Sequence, residues 1–442
     1  MATIRKRNGT YQIIVYCGFS HGKNVCKYTT FCPDPKKSDR ANKKALNEFV
    51  AAFERRCRSG SIGDPNVTFE AFSNEWMRSY AAGELEKTTI ATYRGLLDKI
   101  IIPRIGYMKL SSIKPLTIQG FVNDLRSSTY SYNGGKRTGK YSEECIRNSK
   151  AVISSILSSA WENGLIDSNP CLVRTRKSRN KKELERQSQK MHCFTIDEAA
   201  LFLDVIRKPI PIMAAGSIQN RNGKVVQIKP HLQGTMNVSL QLQTLYTLAL
   251  YSGCRRGELL GLIWKNVDFD NSCIIINQSL AYTPKDGAFV KNPKSNSGYR
   301  DINLPPSVMN MLRNLKDEMK QRMRNMGTAW KGNWTLAENY CFTQDNGLPM
   351  ALSTPRLEMQ RIIKVYNASR AEGQPELPLI KFHELRHTTA SILVASGLDP
   401  ETVAERLGHS DPSITLRVYS HAFKEKDKLA SEILQTRLGG KK

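Results

Sequence analysis

The sequence predicts a multidomain α+β protein: a small three-stranded sheet with one helix, then a helical bundle, then a larger, mostly helical unit carrying a small β-hairpin sheet. Three observations predict it. Short alternating runs separated by turn pairs occupy the first 31 residues, helical apolar periods run from Thr68 to Cys171, and mixed periods fill the rest. A chain of 442 residues is long enough for about two to four domains, each with its own core.

The elements follow in order. Ile4 to Arg7, Thr10 to Cys17 and Lys23 to Phe31 read as three strands, with Asn8-Gly9 as a two-residue hairpin signal and His21-Gly22 near the second turn. A helix from Ser38 to Gly60 places Ala45, Phe49, Ala52 and Phe53 on one face. Residues 1–60 hold 13 Lys+Arg and 4 Asp+Glu, a net of +9, which suits strands laid in a DNA groove. After the turn-rich 61–66, four helical runs make the bundle, within residues 65–172. The segment between its third and fourth helices approaches a phosphate-loop pattern, but Tyr141 stands where a Ser or Thr is required and no strand precedes it. It reads as a flexible basic loop. Residues 173–190 carry 8 Lys+Arg and 2 Asp+Glu without hydrophobic period and read as a basic linker, fit to lie along phosphates.

A further globular unit is expected over 191–422. Thr195 caps its first helix, and Pro209 to Gln241 has no clear period. A helix LQTLYTLALYSG leads into Cys254-Arg255-Arg256-Gly257-Glu258, and a hairpin follows whose tip region carries Lys291 and Lys294. Two more helices precede HELRHTTASILVASG, where Gly397 ends one helix and Gly408 the next, with Asp399-Pro400 and Asp411-Pro412 as restarts. The tail, 423–442, reads as an amphipathic helix.

The charge narrows the partners. With 66 Lys+Arg against 40 Asp+Glu, net +26 and pI about 9.7, the chain favours a polyanion, and nucleic acid before a membrane surface. No signal peptide and no apolar run of about 20 residues is evident, so a soluble cytoplasmic protein without membrane contact is expected. Ten cysteines form no CxxC pair and suit reduced, buried thiols.

HELRH, His383 to His387, satisfies the H-E-x-x-H pattern of zinc peptidases. Against that reading, no third histidine follows at the right spacing, and Gly397 and Pro400 interrupt the route to Glu405. The helix-turn-helix look of 399–419 is also discounted, because histidines and a tyrosine sit beside the turn. Metal-free phosphoryl transfer fits better. Guanidinium groups clamp the charge that builds on phosphate oxygens, for which Arg255 and Arg386 are candidates; Tyr419 supplies a nucleophile, and His383 and Lys294 fit the base and acid.

The segments SGCRRGELLGL, KNPKSNSGYR, FHELRH, ERLGHSD and TLRVYSH occur in the order and spacing of the tyrosine recombinases, the family of phage and conjugative-transposon integrases, which this sequence resembles. The resemblance implies Arg255, Lys294, His383, Arg386, His409 and Tyr419 as the catalytic set, Tyr419 being the nucleophile. Arg256 and Lys291 are the neighbours it sets aside, and Glu258 resembles the family's supporting carboxylate. It also implies an arm-site DNA-binding domain over 1–60, a core-binding domain over 65–172, a catalytic domain over 191–422, and a tail that docks on a neighbouring protomer. A 3′-phosphotyrosyl link, a Holliday junction, no cofactor and no metal follow from the same likeness. So do a homotetramer on double-stranded attachment sites, a bacterial host with the protein at the nucleoid, and room for an excisionase and a host DNA-bending protein. Other readings are a type IB topoisomerase that relaxes DNA, a DNA-binding regulator and, remotely, a zinc peptidase.

Overall fold

The computed structural model of the chain describes residues 3–7, 9–20, 23–35, 38–58, 67–132, 137–172, 193–214, 217–221, 224–228, 231–293, 296–409, 435 and 438. The chain divides into two compact units, 1–178 and 179–442, and the division falls inside the basic 173–190 stretch. The expected tail helix lies outside the described residues apart from 435 and 438.

The first unit holds two separate apolar clusters. Strands β1 (Thr3–Arg7), β2 (Thr10–Ser20) and β3 (Lys23–Phe31) form an antiparallel meander, with Arg7 opposite Thr10 and Gly9 at φ +77° in the turn. Helix α1 (Asp39–Arg58) buries Leu46 with Phe49 and Phe53 against Ile13 and Val15. The helical cluster is built from α2 (Phe69–Ser79), the short α3 (Ala81–Glu84), and α4 (Lys87–Leu96), which runs through a π turn (Leu97–Ile101) into α5 (Ile102–Ile105). Helices α6 (Pro115–Ser127) and α7 (Glu143–Glu162) complete it, and Trp76, Leu97, Phe121, Ile153 and Leu157 interlock at its centre.

One expectation is corrected here. The segment after α6 is not a loop but a hairpin, β4 (Thr129–Tyr132) against β5 (Arg137–Lys140). Two features favour it: TYSY alternates, and the Tyr130 ring packs on that of Tyr141, just past the pair, at 5.0 Å.

The second unit is organised around one buried helix. After α8 (Ile196–Val205), with its Thr195/Glu198 capping box, come two antiparallel pairs. These are β6 (Ile210–Ala214) with β9 (His231–Met236), and β7 (Ser217–Arg221) with β8 (Lys224–Ile228). The stretch read as aperiodic is therefore strands, each of five or six residues and too short to establish a period. Helix α9 (Leu240–Ser252) is buried from Thr244 to Leu250 on every side, as a helix without a polar face must be. It packs against α11 (Pro306–Met326) and α13 (Glu384–Ala395), and Tyr246 spans the core to donate to the Pro355 carbonyl at 2.9 Å at the start of α12 (Thr354–Ser369).

Between α9 and α11 lie α10 (Arg256–Leu260) and five strands. β10 (Val267–Asp268), β11 (Cys273–Ile276) and β14 (Arg300–Asn303) make one antiparallel sheet, while β12 (Ser279–Thr283) and β13 (Gly287–Lys291) make a separate hairpin. The hairpin was expected to carry Lys291 and Lys294 at its tip. Its tip is instead at 284–286, where Asp286 accepts from Thr283, and Lys291 pairs with Ser279 at the open end. Asp-Gly at 286–287 is the stronger turn signal, and it wins. Lys294 belongs to the connection from β13 to β14 and lies outside the described residues.

Candidate active site

Three helix ends build the site. Helix α9 stops at Gly253, in the left-handed region at φ +65°, where an added Cβ would sit 2.5 Å from Leu407 Cδ2. Glycine is therefore needed twice over, for the turn and for the approach of α14 (Pro400–Leu407). Helix α14 starts on Asp399, which accepts from the Glu401 and Thr402 amides, and stops at Gly408 with φ +70°. Both glycines leave helix-end carbonyls without intrahelical donors, at the negative end of each helix dipole.

Arginines take those carbonyls. Arg386, on the first turn of α13, donates from Nη1 to the Gly253 carbonyl at 3.0 Å and to the Leu407 carbonyl at 2.6 Å. Arg255, immediately before α10, donates from Nη2 to the next carbonyl, Gly408, at 2.9 Å. Its Nη1 lies 2.8 Å from Glu258 Oε1, and its backbone amide donates to Oε2 at 2.9 Å. The two guanidiniums differ in access. Arg386 is 3 % exposed, whereas the Arg255 side chain is 43 % exposed. Arg386 Nη2 is buried and has no hydrogen-bond partner among the described residues, so its donors are not all spent on the two carbonyls.

The electrostatics follow from this crowding. Burial, then the Arg255 charge, lowers Arg386 to about 10, so it remains a cation at neutral pH. Burial would raise the Glu258 carboxyl, but the charge and hydrogen bond of Arg300 and the bonds from Arg255 outweigh it and keep the group ionised. His383 lies at the rim just before α13, and its ring meets that of His387 edge to face at 5.2 Å. Protein packed on its inner side, His387 and the nearby arginines push it well below the ordinary histidine value. His409, the residue after Gly408, is lowered to about 4 by partial burial and then by Arg386 and Arg255. Both imidazoles are thus neutral at pH 7 and able to accept a proton.

Of the six expected site residues, Arg255, His383, Arg386 and His409 come together; Lys294 and Tyr419 lie outside the described residues. The zinc reading loses its base, because the Glu384 carboxylate turns back to accept from the Lys381 amide at the start of α13. Arg256, also set aside, is half-buried and lowered by burial and by Arg356. One residue was missed. Arg300 has a side chain only 6 % exposed and bonds Glu258 Oε2 at 2.8 Å. Its signal was present: it stands two residues before the buried Ile302 on β14 and so shares its inward face.

A neutral base beside two fixed guanidiniums and a bracing carboxylate suits attack on a phosphodiester. Residues 225–426 match the phage integrase family, and residues 68–126 match the N-terminal SAM-like domain of phage integrases. The chain belongs to the phage integrase family. It is a tyrosine site-specific recombinase acting on DNA. The family's members with similar sequences include a XerC-like tyrosine recombinase of Caldanaerobacter subterraneus, 23% identical over 434 residues, covering 96% of this chain and 95% of that one. The integrase of Staphylococcus phage L54a is 22% identical over 376 residues, covering 84% and 93%. Among solved structures, the Tn1549 transposon integrase in complex with transposon right end DNA shares the fold, at TM-score 0.59 and 21% identity over 82% of this chain and 99% of that one.

Proposed function

We propose that this integrase cuts and rejoins DNA with Tyr419 as nucleophile and Arg255, Lys294, His383, Arg386 and His409 as the groups that serve it. One observation carries the reading: Arg255 and Arg386, far apart in sequence, converge on the adjacent carbonyls of Gly408 and Leu407, beside two neutral histidines. Two guanidiniums fixed in this way neutralise the charge on the non-bridging oxygens as it grows, without reorganising. The Tyr419 oxygen attacks phosphorus and gives up its proton to His383. The bond to the 5′ oxygen breaks as Lys294 protonates that oxygen. The 3′-phosphotyrosyl ester keeps the bond energy, so a 5′ hydroxyl from a second duplex reverses the step without ATP or metal. Two such exchanges pass through a Holliday junction.

The basic first 60 residues would bind arm sites, residues 65–172 the core site, and 191–422 would hold the chemistry, with four protomers joined through the 423–442 tails at the bacterial nucleoid. The +9 charge of residues 1–60 and the +6 of 173–190 support DNA contact along the chain's length.

A duplex nicked beside the cleavage site, so that the 5′ fragment escapes, tests the chemistry. The expected result is a covalent protein–DNA adduct whose linked peptide contains Tyr419, absent in Tyr419→Phe. An adduct that persists in that variant, or none with the wild type on its attachment site, overturns the reading.

A further inference from the structure

Arg300 makes contacts that the cleavage chemistry does not use. Its Nε donates to the Arg406 carbonyl at 2.9 Å, its Nη1 to the Gly298 carbonyl at 3.2 Å, and its Nη2 to Glu258 Oε2 at 2.8 Å, with the Cys254 sulfur at 3.6 Å. Three consecutive carbonyls at the end of α14 are therefore each held by a different arginine: 406 by Arg300, 407 by Arg386 and 408 by Arg255. The packing leaves no slack. A Cβ at Gly408 would stand 2.7 Å from Arg300 Nη1 and 2.9 Å from the Ser297 carbonyl. Glu258 is likewise shared, one oxygen facing Arg255 Nη1 and the other Arg300.

We propose that Arg300 is a positioning residue for strand cleavage: it holds Glu258 and the last turn of α14 in the register that lets Arg255 and Arg386 face the phosphate. The inference rests on the reading of those two arginines given above. Without Arg300, Glu258 keeps a single cationic partner, and its full charge falls on Arg255. That arginine is then drawn toward the carboxylate and away from the phosphate, while the end of α14, with His409 behind it, loses one of three anchors. The effect passes through charge at the phosphate, which separates it from a general loss of structure.

The test compares single-turnover adduct formation on a nicked duplex carrying either an ordinary scissile phosphate or a neutral methylphosphonate at that position. The methylphosphonate has less charge for guanidiniums to neutralise, so their misplacement matters less. Arg300→Met is expected to slow cleavage of the phosphate about 10²-fold, and cleavage of the methylphosphonate only about tenfold or less. Duplex affinity should stay within about threefold, since Arg300 is buried. Arg300→Lys restores a cation at Glu258 and should recover part of the loss on the phosphate; if Arg300→Met fails to fold, the substrate ratio for Arg300→Lys decides alone. Equal losses on both substrates, or no loss, overturn the role of Arg300 while leaving Tyr419 chemistry standing. A wild type that forms no adduct sinks the cleavage reading itself, and Arg300 with it.

Discussion

The two units of the chain use the same pairing, arginine with carboxylate, in opposite settings. In the first unit Arg104–Asp124 and Arg126–Glu143 stand at the surface of the helical cluster, at 2.7 and 2.9 Å. In the second, Glu258 is shared by Arg255 and Arg300, with Arg386 alongside. Among the described residues, the buried charged side chains of Glu258, Arg300 and Arg386 all lie in the second unit, whereas the buried polar groups of the first are Ser73, Ser149 and Asn169. Burying charge costs stability that apolar packing would not, so its confinement to one place marks where chemistry is done. The first unit is built to hold a shape; the second holds a shape and a field.

The largest effect expected from this contrast follows Glu258→Ala. The substitution strands the Arg300 guanidinium, 6 % exposed, without its carboxylate. Breaking a buried pair from one side costs about 3–5 kcal/mol, because the remaining charge is unpaired. Urea unfolding of the full chain, followed by hydrogen exchange on peptides of each unit, should show the loss in peptides of 193–409 and none in those of 67–172. A loss below about 1 kcal/mol would mean that water reaches Arg300 and that the field is weaker than its burial implies.

Much of this was legible in the sequence because it rests on local chemistry. Asp399 before Pro400, Thr195 three residues before Glu198, and Gly253 and Gly408 behind their helices each state a helix boundary through a cap or a left-handed turn. The convergence of Arg255, His383, Arg386 and His409 followed from likeness to a known family, since no periodicity joins residues so far apart. What escaped was decided by tertiary contact. Strands β6 to β9 are too short to alternate visibly, and pairing alone reveals them. The hairpin β4–β5 depends on a ring pair, Tyr130 on Tyr141. Arg300 looked like one cation among 66, and only the approach of α14 gives it the Arg406 carbonyl and that of α10 the Glu258 carboxylate.

A smaller effect separates the units by pH. The histidines at 383, 387 and 409 all lie in the second unit, and burial with nearby cations holds each below its ordinary 6.5. His21 is the one histidine of residues 1–178. Where the unfolded chain binds more protons than the folded one, stability rises with pH. These groups therefore cost nothing above about 6.5, and they destabilise the second unit progressively as pH falls from there toward 4. Proton NMR titration of the imidazoles in the DNA-free protein should give midpoints well below 6.5 for His383 and His409, and hydrogen exchange at pH 5 should quicken in the second unit first. Midpoints at or above 6.5 would remove both the pH effect and the neutral base at the site.

The smallest effect belongs to the surface pair of the first unit. Arg126 reaches Glu143 with both nitrogens of a bidentate contact, at 2.9 Å each, joining the end of α6 to the start of α7 across the β4–β5 hairpin. The geometry is good and the Arg126 bond lowers the Glu143 carboxyl, yet both side chains are more than half exposed, at 51% and 65%. Solvent and salt screen such a pair, and ordering two long side chains offsets part of the attraction, so Arg126→Ala should cost less than about 1 kcal/mol. The loss should shrink further in 0.5 M salt, where the Debye length falls to roughly 4 Å. A loss as large as that of Glu258→Ala would mean that α6 and α7 are held together by this pair rather than by Phe121, Ile153 and Leu157, and the contrast between a unit of shape and a unit of field would fail.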